Sequence, residues 1–172
     1  MPRELLILRH AKSDWDGEAG DDFARPLAKR GKKDAPRVSA WMYREGLVPD
    51  LVVSSSAERA RQTTLAICKG LDYKRKAVVW DDTIYEASVE ALLGVLSRCP
   101  PEPGTVLLVG HNPGLEGLLS YLVGDDLDDL VGDKLLPTAG LARLEMPDDW
   151  ADLPPGCAQL LSITVPKSLP AG

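Results

Sequence analysis

Apolar residues in this chain come in short unbroken runs separated by longer amphipathic stretches. Leu5-Leu6-Ile7-Leu8 is one such run and Val106-Leu107-Leu108-Val109 is another. Short runs without polar alternation predict strands buried on both faces. Strands are expected near 4–9, 51–54, 77–80, 105–110, 140–145 and 158–165. Stretches with apolar residues three and four apart predict helices near 31–46, 57–71, 87–98 and 114–123. Strands alternating with helices predict an α/β fold: a three-layer α/β/α sandwich around a mostly parallel sheet of about six strands. The last two strands follow each other through a Pro- and Asp-rich connection, 146–156. One of them is therefore expected to run antiparallel at an edge.

Three segments are too polar for the core. Residues 13–24 read as a mobile acidic loop beside the end of the first strand, and residues 124–137 as a second acidic loop. The tail 166–172 is expected to be loosely held. At 172 residues the chain suffices for a single domain with a sizeable core. The net charge of −6 argues against a nucleic-acid or anionic-membrane binder, which needs a basic face. An anionic substrate would have to be drawn in by a local basic pocket. No apolar run approaches the ~20 residues of a membrane span. Met1-Pro2-Arg3-Glu4 leads straight into the first strand, which predicts no signal peptide. Cys68, Cys99 and Cys157 are widely spaced and odd in number, as expected of reduced thiols in a cytoplasmic protein. The two histidines lie far apart without a nearby third ligand, so neither a metal nor another cofactor is expected.

Three strand ends carry candidate chemistry. The first strand ends in Arg9-His10, and the fourth in Gly110-His111-Asn112-Pro113-Gly114. The second runs into Ser54-Ser55-Ser56-Ala57-Glu58-Arg59, which opens a helix with the serines as expected N-caps. Carboxyl ends of parallel strands are where such sheets bind ligands. If these strands are neighbours, Arg9, His10, Arg59 and His111 share one crevice. That set suits phosphoryl transfer. A neutral imidazole nitrogen can attack phosphorus, and guanidinium forks bind its oxygens. Taken singly, each piece has a bland reading: a solvated strand end, surface charges at Arg59 and Arg61, a turn histidine. Their joint placement at three strand ends favours the functional one.

Arg9-His10-Ala11 resembles the Arg-His-Gly signature of the histidine phosphatase superfamily, also called phosphoglycerate mutase-like. Ser55-Ser56-Ala57-Glu58-Arg59-Ala60-Arg61-Gln62-Thr63 resembles its Ser-Pro-x-x-Arg-Ala-x-Gln-Thr motif, and Gly110-His111 its second catalytic histidine. The resemblance implies a phosphoglycerate mutase-like fold, His10 as nucleophile, Arg9 and Arg59 on the phosphate, and His111 completing the pocket. Ala11 and Ser56 depart from the family's glycine and proline, and neither change removes a functional group. Glu86 lies 27 positions after Arg59, where the family's general acid is expected. Its other reading is a charge on the first turn of helix 87–98. Asp14 and Asp16 are rival acids, and Ser13 is a candidate phosphate donor. The short length, Arg9 through Trp15, and Arg25-Pro26-Leu27 through Arg30-Gly31 are similar to the bacterial phosphohistidine phosphatases. The resemblance then implies an open crevice. Its partner would be a phosphorylated side chain on another protein, such as a histidine phosphotransfer domain. A small-molecule phosphomonoesterase and a phosphate-binding module without catalysis are the alternatives.

Overall fold

The structure is a computed structural model that describes residues 3–15, 20–124, 127 and 135–170. Six strands form one sheet: β1 (Arg3–Arg9), β2 (Leu51–Ser54), β3 (Val79–Trp80), β4 (Thr105–Gly110), β5 (Leu141–Met146) and β6 (Gln159–Thr164). Four helices connect them: α1 (Lys29–Arg44), α2 (Glu58–Leu71), α3 (Val89–Ser97) and α4 (Gly114–Val123). The strand order is β3-β2-β4-β1-β5-β6. Strands β1 to β4 pair in parallel, while β5 is antiparallel to both β1 and β6. The sheet is mostly parallel, as its apolar runs predict.

The period of two in β1 shows why its run is unbroken. Leu5 and Ile7 join the cluster under α3 and α4, and Leu6 and Leu8 join the one under α1 and α2. All four have no exposed surface. Each fully buried side chain of this size contributes roughly 1.5–3 kcal/mol. A polar residue at either parity would therefore lose that and strand its polar group in the core.

The antiparallel strand is not at the edge. After crossing the carboxyl end of β1, where Ala139 N–H donates to the Arg9 and His10 carbonyls, the chain enters β5 beside Leu8. From there it can only run back against β1. The connection 147–158 then places β6 outside it, at the edge. β3 is only two residues long, because Arg75–Ala77 form a 3-10 turn where a longer strand was expected. The tail is held through Pro170. Pro166–Ser168 form a 3-10 turn, and the Arg37 guanidinium donates to the Leu169 and Pro170 carbonyls at 2.6 and 3.3 Å.

β1 and β4 are neighbours, yet the chain leaves them toward opposite faces, to α1 and to α4. That divergence is the switch point at which open sheets form a crevice. Arg9-His10 and His111 stand at it.

Candidate active site

A crevice of about 420 Å³ opens at the carboxyl ends of β1 and β4. Arg9, His10, Ser13, Arg59, Glu86 and His111 all line it. His10 is pinned to β4 by its own N–H, which donates to the Gly110 carbonyl at 3.0 Å. The His10 and His111 rings lie 5.1 Å apart between centroids. Both are buried, at 6% and 8% exposure, so water has little access to either ring.

The two rings are tied differently. Nδ1 of His10 is 2.7 Å from the Ala11 carbonyl oxygen. A carbonyl only accepts, so Nδ1 carries the proton. In the neutral ring Nε2 then keeps its lone pair. Burial, and to a smaller degree His111, Arg59 and Arg9, push the His10 pKa down to about 3. Nε2 of His111 instead meets the Ser55 hydroxyl at 2.7 Å. Burial and the nearby Arg59 lower its pKa to about 4. Both imidazoles are therefore neutral at pH 7.

The motif around Arg59 is a set of struts. Thr63 accepts from Ala11 N–H at 3.0 Å and donates to the Arg59 carbonyl at 2.8 Å, which ties the turn after His10 to α2. Gln62 accepts from Leu27 N–H at 2.7 Å and so fixes the returning chain. Ala60 and Ala11 are fully buried in the cluster under α1 and α2. Arg61 points away and pairs with Glu58 at the surface, at 3.1 Å. The serines do not cap α2: Ala57 stands at the cap without a side-chain bond. Ser55 is fully buried at the end of β2, and its hydroxyl is committed to His111 and to Ala57 N–H. Ser56 donates to Asp82.

Among the described residues, the buried side-chain polar atoms without a hydrogen-bond partner are Nε of Arg9, Nε of Arg59, Nδ1 of His111 and Oδ1 of Asn112. All four belong to residues that line the crevice. Leaving a buried donor unpaired costs about 1–3 kcal/mol. The two unpaired guanidinium N–H donors, with an imidazole nitrogen able to donate beside them, make this a site prepared for an anion.

Glu86 is exposed at the rim, with φ of +54°. That left-handed conformation is strained for a residue with a side chain, and such strain clusters at functional sites. The competing reading, a charge on the first turn of the next helix, is not met. α3 starts at Val89 behind the Ser88 cap, and Glu90 is the acid in its first turn. Asp14 is half-buried and is not among the crevice-lining residues. Asp16 lies outside the described residues. Ser13 is buried, and its Oγ accepts from Arg25 at 2.8 Å.

The sequence reading missed a second set of residues here. Asp22 accepts from Arg59 at 2.9 Å, from Arg25 at 2.9 Å and from Tyr85 at 2.5 Å. The Tyr85 hydroxyl first, then Arg25 and Arg59, hold the Asp22 carboxyl far below the usual carboxylate range. The same bond pushes the Tyr85 phenol up to about 12. Arg25 also stacks over Trp15 at 3.5 Å. Where the sequence predicts a mobile loop, the described ends of segment 13–24 are held, at Asp22 by Arg25, Arg59 and Tyr85 and at Ser13 by a bridge to Leu27. Its other acidic counterpart, 124–137, lies mostly outside the described residues. Leu136, at its end, accepts from Arg9 and from Asn112 at 3.2 and 2.8 Å.

The histidine phosphatase superfamily (branch 1) matches this chain over residues 5–97, which include Arg9, His10, Arg59 and Glu86. A protein described as the phosphohistidine phosphatase SixA of Agrobacterium tumefaciens is 31% identical. It superposes with a TM-score of 0.82 over 96% of this chain and 99% of that one. A Nakamurella multipartitia protein with the same description, also 31% identical, gives 0.78 over 95% and 96%. An uncharacterized Mycobacterium tuberculosis protein is 34% identical over 93% of this chain and 100% of its own length. With its fold, its crevice and these relatives in agreement, the chain belongs to the histidine phosphatase superfamily and is a phosphatase that resembles the SixA type.

Proposed function

We propose that this phosphatase removes the phosphoryl group from phosphohistidine on a partner protein, by way of a covalent intermediate on His10. The His10 ring carries this reading: its Nδ1–H is held by the Ala11 carbonyl, so a neutral ring offers the Nε2 lone pair. In the first step Nε2 attacks phosphorus and the N–P bond of the substrate breaks; the substrate imidazole, protonated on its other ring nitrogen, keeps that proton and leaves as a neutral ring. Arg9 and Arg59 balance the charge on the phosphoryl oxygens. With the Ser55 hydroxyl donating to Nε2 of His111, that ring carries its proton on Nδ1, the atom without a partner. It then supplies a neutral donor to the same oxygens. In the second step water attacks the phosphoryl group on His10, which leaves inorganic phosphate and restores the ring. Glu86 at the rim is the acid for leaving groups poorer than imidazole. Trp15, 70% exposed beside the crevice, is placed to meet a partner surface rather than to close over a small molecule.

The test compares turnover of a phosphorylated histidine phosphotransfer domain with that of a panel of small phosphomonoesters. The proposal expects kcat/KM for the domain to exceed every ester by at least about tenfold. A preference for one small ester would instead mark a small-molecule phosphatase.

A further inference from the structure

The first turn of α1 is built against its own dipole. Lys29, Arg30, Lys32 and Lys33 crowd the positive end of the helix, and no acidic residue is present in that turn. Cations are unfavourable there, and Lys29, Lys32 and Lys33 repel one another three and four residues apart. All four side chains are exposed. Arg30 pairs with Asp34 at 3.5 Å, but Lys29, Lys32 and Lys33 have no ion-pair partner among the described residues. In a chain with a net charge of −6, this is a local reversal of sign.

The patch adjoins the crevice. Ala28 N–H donates to the Lys12 carbonyl at 2.9 Å, and Gly31 packs so tightly on Lys12 that a Cβ would come within 2.2 Å of that oxygen. Lys12 itself lines the crevice. On the other side Arg30 donates to Thr138 at 3.3 Å, and Thr138 lines the crevice too. A neighbouring groove of about 590 Å³ shares Arg9, Lys12, Asn112 and Thr138 with the crevice and includes Arg30. Among the described residues Glu116 is the one acid in that groove, and Lys12 and Arg30 carry basic side chains from the crevice to the start of α1.

We propose that the start of α1, Lys29 with Lys32 and Lys33, is a docking surface for an acidic face on the phosphorylated partner protein. The inference rests on the phosphohistidine reading and adds the chemistry of the surface around the phosphorylated residue. A small phosphoester fills the crevice and never reaches α1. A protein carrying its phosphohistidine into the crevice lays its flanking surface on this turn. Charges at such a rim act on encounter rate and salt dependence.

The experiment uses the triple variant Lys29→Glu, Lys32→Glu, Lys33→Glu. Its substrates are a phosphorylated phosphotransfer domain with acidic residues beside its histidine, the same domain with those residues made Gln, and free phosphohistidine. The wild-type protein is expected to prefer the acidic domain, with kcat/KM falling as salt rises. The variant should lose about tenfold or more on that domain, with a flattened salt slope. Both proteins should turn over free phosphohistidine alike, which also reports an intact fold. Equal rates of both proteins on the acidic domain would overturn the docking surface and leave the phosphohistidine reading standing. A loss of the same size on free phosphohistidine would also overturn it, since the patch would then act on any anion. Turnover of free phosphohistidine with none of either domain would overturn both. Wild-type binding to vesicles of anionic lipid but not to the domain would assign the patch to a membrane instead.

Discussion

The ends of β1 and β4 look alike in sequence: an apolar run, then a histidine at the mouth of the same crevice. The structure ties the two rings to different partners. His10 meets a carbonyl, which accepts only, so its tautomer is fixed and Nε2 is left as a base. His111 meets a hydroxyl, which can give or take, so its tautomer follows Ser55 and whatever occupies the crevice. The same residue type at the same topological position thus offers a free lone pair in one case and an adjustable donor in the other. The partner of the far nitrogen decides the chemistry of the near one.

The largest break in this comparison is His10→Ala. It should lower kcat by at least about 10³-fold with Tm changed little, since the nucleophile is lost and the ring is not part of the apolar clusters. Residual activity within tenfold of wild type would remove the covalent route. His111→Ala is expected to cost about 10²–10³ in kcat, the range for one preorganised donor. Equal losses in the two variants would mean that the rings share one role. Ser55→Ala should cost about tenfold and leave the His10 intermediate formed, because it frees the His111 tautomer without deleting the ring. Glu86→Gln should slow small esters and spare phosphohistidine, whose leaving imidazole needs less help. Slowing both alike would place Glu86 in the common step.

The pH dependence sharpens the comparison further. Both folded-state histidine pKa values lie below the ordinary 6.5, at about 3 and about 4. Between pH 6.5 and about 4 the unfolded chain therefore binds more protons than the folded one, and stability falls as pH drops. From pH 7 to pH 5 each histidine contributes a loss of about 2 kcal/mol. Urea unfolding of wild type, His10→Ala and His111→Ala at the two pH values checks this; each variant should lose correspondingly less than wild type. The kcat/KM profile, corrected for ionisation of the substrate, should stay flat to about pH 5. An inflection near 6.5 would mean that the rings are solvated and charged there.

The parts legible in the sequence were those whose physics is local. Leu5 to Leu8 and Val106 to Val109 announce buried strands by themselves, and Arg9-His10, Arg59 and His111 are read straight from the strand ends. The illegible parts depend on contacts far along the chain. Asp22 looks like one more acid in a polar loop until folding brings it against Arg59 and Tyr85, 37 and 63 residues away. Ser55 looks like a helix cap until β4 delivers His111 to it. The place of β5 depends on the chain crossing above Arg9 and His10, which no local pattern encodes. β3 forms within the expected 77–80 but shrinks to Val79 and Trp80, the two residues that pair at the edge beside β2.

The central claim is that His10 alone takes the phosphoryl group. The direct measurement is rapid quench of the His111→Ala variant mixed with phosphohistidine substrate, followed by mass spectrometry and ³¹P NMR under alkaline conditions. The account predicts an acid-labile phosphoryl group on Nε2 of His10. Phosphorylation of any other residue, or turnover in single-turnover conditions with no phosphoenzyme, would contradict it.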